Sequence, residues 1–236
     1  MGGVMALPGC PNKCGDVAIP YPFGIGENCT ATSLNSYFNL ICSSTFHPPR
    51  PQIWEPEAYI EATDISLERG EMCVLRPVSH ICFTSNTTST KSSIVRYNLK
   101  RTPFLPSSSR SRFTVIGCNT LGLISGYGTA PSHKVWAFNP CFYSIVADVG
   151  WYSFKQKDLI GHLGFIKDRA QNGAPIIADW AIRNGSCREG KETPSGYACA
   201  SANSYCTAVS NDPGYLCNCS EGYTRAILIF QMAAKV

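Results

Sequence analysis

Cys10-Pro11-Asn12-Lys13-Cys14-Gly15-Asp16-Val17-Ala18-Ile19-Pro20-Tyr21-Pro22-Phe23-Gly24-Ile25 packs two cysteines, three prolines and two glycines into sixteen residues. Each proline fixes its own φ and lacks an amide donor. Ile19-Pro20-Tyr21-Pro22-Phe23 therefore reads as a rigid structural element whose aromatics pack, rather than as a sugar clamp. In a reducing cell Cys10 and Cys14 would suit a metal ion; in an oxidising compartment they are bridge partners. The rest of the chain favours the second. Thirteen cysteines in 236 residues are many for a compartment that keeps thiols reduced. They lie among four glycosylation sequons, at Asn28, Asn86, Asn184 and Asn218, which take glycan in the secretory lumen. The two signals support each other, and the expected location is extracellular.

The same punctuation runs through the whole chain. Twenty glycines and sixteen prolines predict turns and short strands in place of long helices. A 44% hydrophobic and 15% charged composition excludes a disordered polyelectrolyte. Residues 37–42 (YFNLIC) read as a strand. Residues 59–65 (YIEATDI) alternate apolar with polar, and residues 68–71 (ERGE) turn the chain into a second strand at 72–75. Residues 93–99 (SIVRYNL) show another half-buried alternation, and 113–118 (FTVIGC) read as a compact central strand. A weak helical pattern covers 154–166. The fold expected is mainly β, a disulfide-rich extracellular domain with short strands and long loops.

The last fifty residues change character. Cys187, Cys199, Cys206, Cys217 and Cys219 follow the spacing C-x11-C-x6-C-x10-C-x-C, which is that of the first five cysteines of an EGF-like module. That resemblance implies the pairs Cys187–Cys206 and Cys199–Cys217, and leaves Cys219 without its sixth partner. A module with so little core needs its bridges, each worth about 2–4 kcal/mol.

The opening run resembles the start of the extracellular galacturonan-binding domain of plant wall-associated receptor kinases, with Cys29 and Cys42 following at suitable distances. Phe113 to Cys118, residues 136–141 (WAFNPC) and residues 179–182 (DWAI) fit the same family. The resemblance covers residues 10 to about 224 and implies a pectin-binding ectodomain. It departs from the family between Gly128 and Trp136, where a cysteine-rich stretch including a paired Cys-Cys is missing. The organisation expected is a galacturonan-binding domain at 8–128, its C-terminal part with an internal deletion at 129–186, a partial EGF-like module at 187–224, and an atypical tail at 225–236. Met1 to Leu7 is too short for a signal-peptide core, and the apolar run Ala226 to Phe230 is too short to span a membrane. The family would put such a domain outside the cell or on the outer face of the plasma membrane.

Charge supplies the functional hint that needs no family. Residues 1–71 carry three basic and eight acidic side chains, a balance of −5. Residues 72–147 carry eight basic side chains and no acidic one. Galacturonan presents a carboxylate on every unesterified sugar, and guanidinium groups bind carboxylates through charge-assisted, often paired, hydrogen bonds. Lys91, Arg96, Lys100, Arg101, Arg110 and Arg112, interleaved with Tyr97, are the residues expected to grip pectin or oligogalacturonides. If 93–99 is a strand, Ile94 and Arg96 share one face and Val95, Tyr97 and Leu99 the other. The competing reading makes these cations ordinary solvated surface, with the EGF-like part binding an extracellular protein instead.

Nothing in the sequence composes a catalytic site or calls for a cofactor. His47, His80, His133 and His162 have no short mutual spacing, and no H-E-x-x-H, G-x-S-x-G or P-loop pattern occurs. Glu55 and Glu57 flank Pro56 in a stretch that reads as loop, and are expected to be exposed charge rather than a glycosidase pair.

Overall fold

The computed structural model describes residues 6–55, 58–83, 89–96, 99, 101–117, 140–161, 163–183, 185–187, 197–199, 203–211 and 213–221, with backbone alone at 55, 58 and 89–91. Fifteen strands are present among them. The first seven are β1 (Lys13–Cys14), β2 (Val17–Ala18), β3 (Gly24–Ile25), β4 (Asn39–Ser43), β5 (Arg50–Glu55), β6 (Ala58–Ser66) and β7 (Glu71–Arg76). There follow β8 (Ser79–Phe83), β9 (Ser89–Ser93), β10 (Phe104–Pro106), β11 (Ser111–Ile116) and β12 (Cys141–Asp148). The last are β13 (Ala174–Trp180), β14 (Ser204–Ala208) and β15 (Tyr215–Cys219), and one short helix, α1, covers Gly164–Arg169. The mainly β expectation holds. The chain divides into two compact units: unit 1 holds 1–74, 99–105 and 178–236, and unit 2 holds 75–98 and 106–177.

Unit 1 contains β3, β4, β5 and β6, consecutive neighbours in a mixed sheet, with β3 parallel to β4 and the other two pairings antiparallel. Side chains alternate along each strand. Leu40, Ile53, Ile60 and Ala62 are buried on one face, and Phe23, Phe38 and Trp180 complete that core. Phe23 meets the rings of Phe38 at 5.1 Å and Trp180 at 5.2 Å, both edge to face. The Ile19–Phe23 element is thus the floor of the core, with Ile19 and Phe23 wholly buried. Two disulfides tie it down, Cys10–Cys29 and Cys14–Cys42. Cys10 and Cys14 each bridge to a different strand or loop, so they do not converge as metal ligands. Gly15 directly follows Cys14 at φ 58°, and a Cβ there would strike the Pro49 carbonyl, so only glycine suits the position.

The C-terminal segment of unit 1 is the β14–β15 hairpin, held by Cys187–Cys206 and Cys199–Cys217. These are the two pairs that the EGF-like spacing implies. Tyr215 is buried beneath it, stacks on Tyr197 at 5.4 Å, and accepts the Ala198 amide on its hydroxyl at 3.1 Å.

Unit 2 is built on a four-stranded antiparallel sheet in the order β11-β12-β8-β9. Cys82 and Cys141 are register partners and are joined by a disulfide. Tyr143, Ile145 and Ala147 alternate inward from β12 and pack with Phe165 of α1. Phe165 lies within 5.1 to 6.2 Å of the rings of Tyr143, Trp151 and Tyr152.

Several local expectations change. The 113–118 strand begins at Ser111 and stands at the sheet edge among the described strands, not at its centre. Its compact hydrophobicity reflects packing on a single neighbour, β12. The 93–99 strand is displaced: β9 ends at Ser93 and residues 94–96 are irregular. The Val95 amide donates to the Ser79 hydroxyl at 2.9 Å instead of to a ladder, and Ile94 is exposed. The 37–42 strand starts two residues late, because Asn35 caps a 3-10 turn over Ser36–Phe38 by accepting the Tyr37 amide. The helical pattern at 154–166 resolves into a 3-10 turn at Gln156–Leu159 and α1. Glu55 closes β5 opposite Ala58 rather than lying in a loop; Pro56 and Glu57 lie outside the described residues.

Candidate functional site

The cations expected to bind ligand divide between the two units. Lys91 of β9 pairs in backbone register with Cys82 of β8; its side chain, Tyr97 and Lys100 lie outside the described residues. Arg101 belongs to unit 1, and Arg96, Arg110 and Arg112 belong to unit 2. All four described arginines are exposed. The stretch 91–112 is contiguous in sequence without forming one continuous strand face.

Arg101 sits on a turn that is fixed on both sides. Its own φ is 63°, and its carbonyl accepts from the Asn35 amide nitrogen at 3.0 Å. Next to it, Thr102 is buried and donates its hydroxyl to the Leu99 and Phe104 carbonyls at 3.2 and 3.1 Å. Arg96 is held through its backbone, where its carbonyl accepts from the buried Arg76 guanidinium at 2.9 Å.

Arg110 and Arg112 flank the start of edge strand β11. Ser111 between them is anchored, its hydroxyl donating to the Ile177 carbonyl at 2.8 Å and accepting the Ile177 amide at 3.1 Å. Arg110 faces Asp148 at 3.5 Å, with 44% of its side chain exposed. An exposed pair at that distance contributes at most about 1 kcal/mol, so another carboxylate can compete for the guanidinium. Arg112 opens onto a cleft of about 330 Å³ lined by Phe113, Thr114, Val115, Asp148, Val149 and Tyr152. Tyr152 donates its hydroxyl to Asp158 at 3.2 Å and carries Arg169 over its ring at 5.1 Å. Burial, with the Asp158 carboxylate beside it, pushes the Tyr152 phenol up to about 12. It stays neutral across physiological pH. The cleft therefore combines one exposed guanidinium, an aromatic wall and the Asp148 carboxylate.

A second surface escaped the charge-led reading. On the outer face of the unit 1 sheet, Trp54 of β5 stands opposite Tyr59 of β6, and both are exposed. The signal was in the alternation of 59–65: Tyr59 shares the parity of Glu61 and Thr63, the polar face, and not that of buried Ile60 and Ala62. Trp54 was harder to place, because Pro51 argues against a strand in 50–55.

Of the sequon asparagines, Asn28 is exposed, and the Nδ2 of Asn218, the atom a glycan would take, donates to the Thr207 hydroxyl at 2.8 Å. Asn86 and Asn184 lie outside the described residues. Among the described residues no helix is long and apolar enough to cross a membrane.

Residues 10–76 match the protein-family model described as wall-associated receptor kinase galacturonan-binding. Over 92% of its length the chain is 25% identical to wall-associated receptor kinase 4 of Arabidopsis thaliana. Wall-associated receptor kinase 5 of the same plant is 25% identical over 91% of the chain, and wall-associated receptor kinase 1 is 23% identical over 91%. The chain spans about a third of the length of these relatives. No solved structure matches. The resemblance read from the opening run is borne out as a similarity: residues 10–76 match the galacturonan-binding family model, and about nine-tenths of the chain aligns with distantly similar wall-associated receptor kinases. The matched segment ends at residue 76, before the first residue of the 91–112 cluster.

Proposed function

We propose that this wall-associated-kinase-type ectodomain binds galacturonan, the acidic backbone of pectin, outside the cell. The observation that carries the reading is the match of residues 10–76 to a galacturonan-binding domain. Two features support it. Five disulfides suit an oxidising compartment, and the acid-free stretch 72–147 displays exposed Arg96, Arg101, Arg110 and Arg112. In this reading Arg110 exchanges Asp148 for a uronate carboxylate, and Arg112 holds a second one at the mouth of the β11 cleft. Lys91, Tyr97 and Lys100 enter this reading from the sequence alone, since the Lys91 side chain and the other two residues lie outside the described residues. Contact with exposed charges weakens as salt shortens the Debye length to about 8 Å at physiological ionic strength.

The test is retention of the secreted full chain on immobilised polygalacturonate across a salt series. Retention should fall as salt rises. Arg110→Gln with Arg112→Gln should lower it by roughly three- to ten-fold at low salt and flatten the salt dependence. Absence of wild-type retention on polygalacturonate at any salt concentration would remove the reading.

A further inference from the structure

The outer face of the unit 1 sheet is built differently from the cationic edge of unit 2. Trp54 and Tyr59 are directly opposite on antiparallel strands, a placement that sets their Cβ atoms about 5 Å apart. Each keeps 55% of its surface exposed. The reverse side of the same two strands is closed core, with Ile53 and Ile60 buried. Two large rings left exposed side by side on one sheet face are the informative kind of exposure. One step along the same face, Gln52 pairs with Glu61, so an amide stands beside the rings with both donors and acceptors.

The electrostatics of this face do not suit a polyanion. Residues 10–76 hold four basic and eight acidic side chains, a balance of −4. Arg50, the cation on this face, spends two hydrogen bonds of 2.9 Å on Glu61. Arg69 in the same segment is held by Asp64 and Glu71 at 3.2 and 2.7 Å. A carboxylate-bearing sugar brought here meets net negative charge, whereas a ring whose carboxylate is esterified brings no charge and keeps its apolar C–H face.

The geometry points to the Trp54–Tyr59 pair as a stacking site for the uncharged pyranose rings of methyl-esterified galacturonan. The inference rests on the galacturonan reading for its choice of glycan and adds a second, charge-blind contact to it. One chain would then carry two grips: cations that read free carboxylates, and an aromatic platform that takes the esterified stretches between them. Salt should leave the second contact unchanged, because stacking on an aromatic face involves no ion pair.

The experiment compares full chain on two probes, highly methyl-esterified homogalacturonan and the same polymer after de-esterification, at low and high salt. Wild type is expected to be retained by the esterified polymer with little salt dependence. Trp54→Ala and Tyr59→Ala should each lower that retention about three- to ten-fold and leave low-salt retention on the de-esterified polymer nearly unchanged. Trp54→Phe should keep most of it. Independently of any variant, adding soluble esterified polymer should shield Trp54 and reduce acrylamide quenching of the wild-type tryptophan fluorescence. If wild type binds only the de-esterified polymer, the platform is refuted while the galacturonan reading stands. Binding to neither polymer removes both. Unchanged retention of Trp54→Ala on the esterified polymer also overturns the platform. So does a change confined to the sedimentation behaviour of that variant, which would assign the face to protein contact.

Discussion

The sheet of unit 1 and the sheet of unit 2 answer the same problem with opposite chemistry. In unit 1 the outer face carries Trp54 and Tyr59 amid paired charges, Arg50 with Glu61 and Arg69 with Asp64 and Glu71. In unit 2, Arg110 and Arg112 flank the first residue of β11, the edge strand among the described ones, both exposed and one opposite Asp148 at 3.5 Å. Ion pairing is what distinguishes them. Where Arg50 and Arg69 are held by Glu61, Asp64 and Glu71, the cations are engaged and aromatic area dominates. Across the acid-free stretch 72–147, Arg96, Arg101, Arg110 and Arg112 stand exposed. A count of basic residues finds the second kind of surface and passes over the first.

The comparison breaks most severely if either core is removed. Phe23→Ala empties the centre of the unit 1 core, where Phe38, Phe104 and Trp180 converge, and Phe165→Ala does the same under the β12 strand of unit 2. Each should cost about 3–5 kcal/mol, read from denaturant midpoints. Phe23→Ala should abolish retention on esterified polymer and Phe165→Ala the salt-sensitive retention; the reverse pattern would mean the two grips are assigned to the wrong units.

Alkaline pH should separate the units by a smaller margin. Burial pushes Tyr143 and Tyr152 in unit 2, and Tyr21 in unit 1, up to about 12. The unfolded chain releases these protons near pH ~10. Folded-state stabilisation from the neutral phenols is therefore complete below pH ~10 and is lost as pH climbs toward 12. Two of the three phenols pushed to about 12 lie in unit 2, against Tyr21 and the less strongly raised Tyr215 in unit 1, so unit 2 should lose its near-ultraviolet signal first, followed by tyrosinate absorbance during a pH titration. Simultaneous loss at or below pH ~10 would contradict the assigned burial.

The smallest expected effect is also the sharpest for the comparison. Glu61→Gln leaves an oxygen that still accepts from Arg50 but removes the neutralising charge. The unit 1 face then gains one net positive charge beside its aromatic rings. Retention on de-esterified polymer should rise about two-fold at low salt, within the range of a single exposed charge pair, and the gain should vanish at high salt. A gain that survives high salt would show that the change in charge is not what draws the polymer.

How much of this was legible varies with the range of the interaction that decides it. The Ile19–Phe23 element reads correctly as structural because proline geometry is a property of the residue itself. Burial of Ile60 and Ala62 against exposure of Tyr59 follows from period-two alternation within one strand. The C-terminal pairs Cys187–Cys206 and Cys199–Cys217 are those that the resemblance to an EGF-like module implies. The 93–99 stretch misleads because alternation is present but no partner strand continues past Ser93. Strand β5 is missed because Pro51 sits within it, tolerated opposite Cys42. The 113–118 run is compact enough to look central and is an edge.

Sequence alone determined the materials: cysteines in number for an oxidised frame, an acid-free cationic third, and a polar parity that carries an aromatic. Tertiary structure alone decided which cysteines meet, as in Cys14 with Cys42 and Cys82 with Cys141, which arginines share a unit, and that Trp54 stands beside Tyr59. The physical reason is that composition and alternation are local to the chain, while pairing and register depend on which distant strands win the competition to bury a common face.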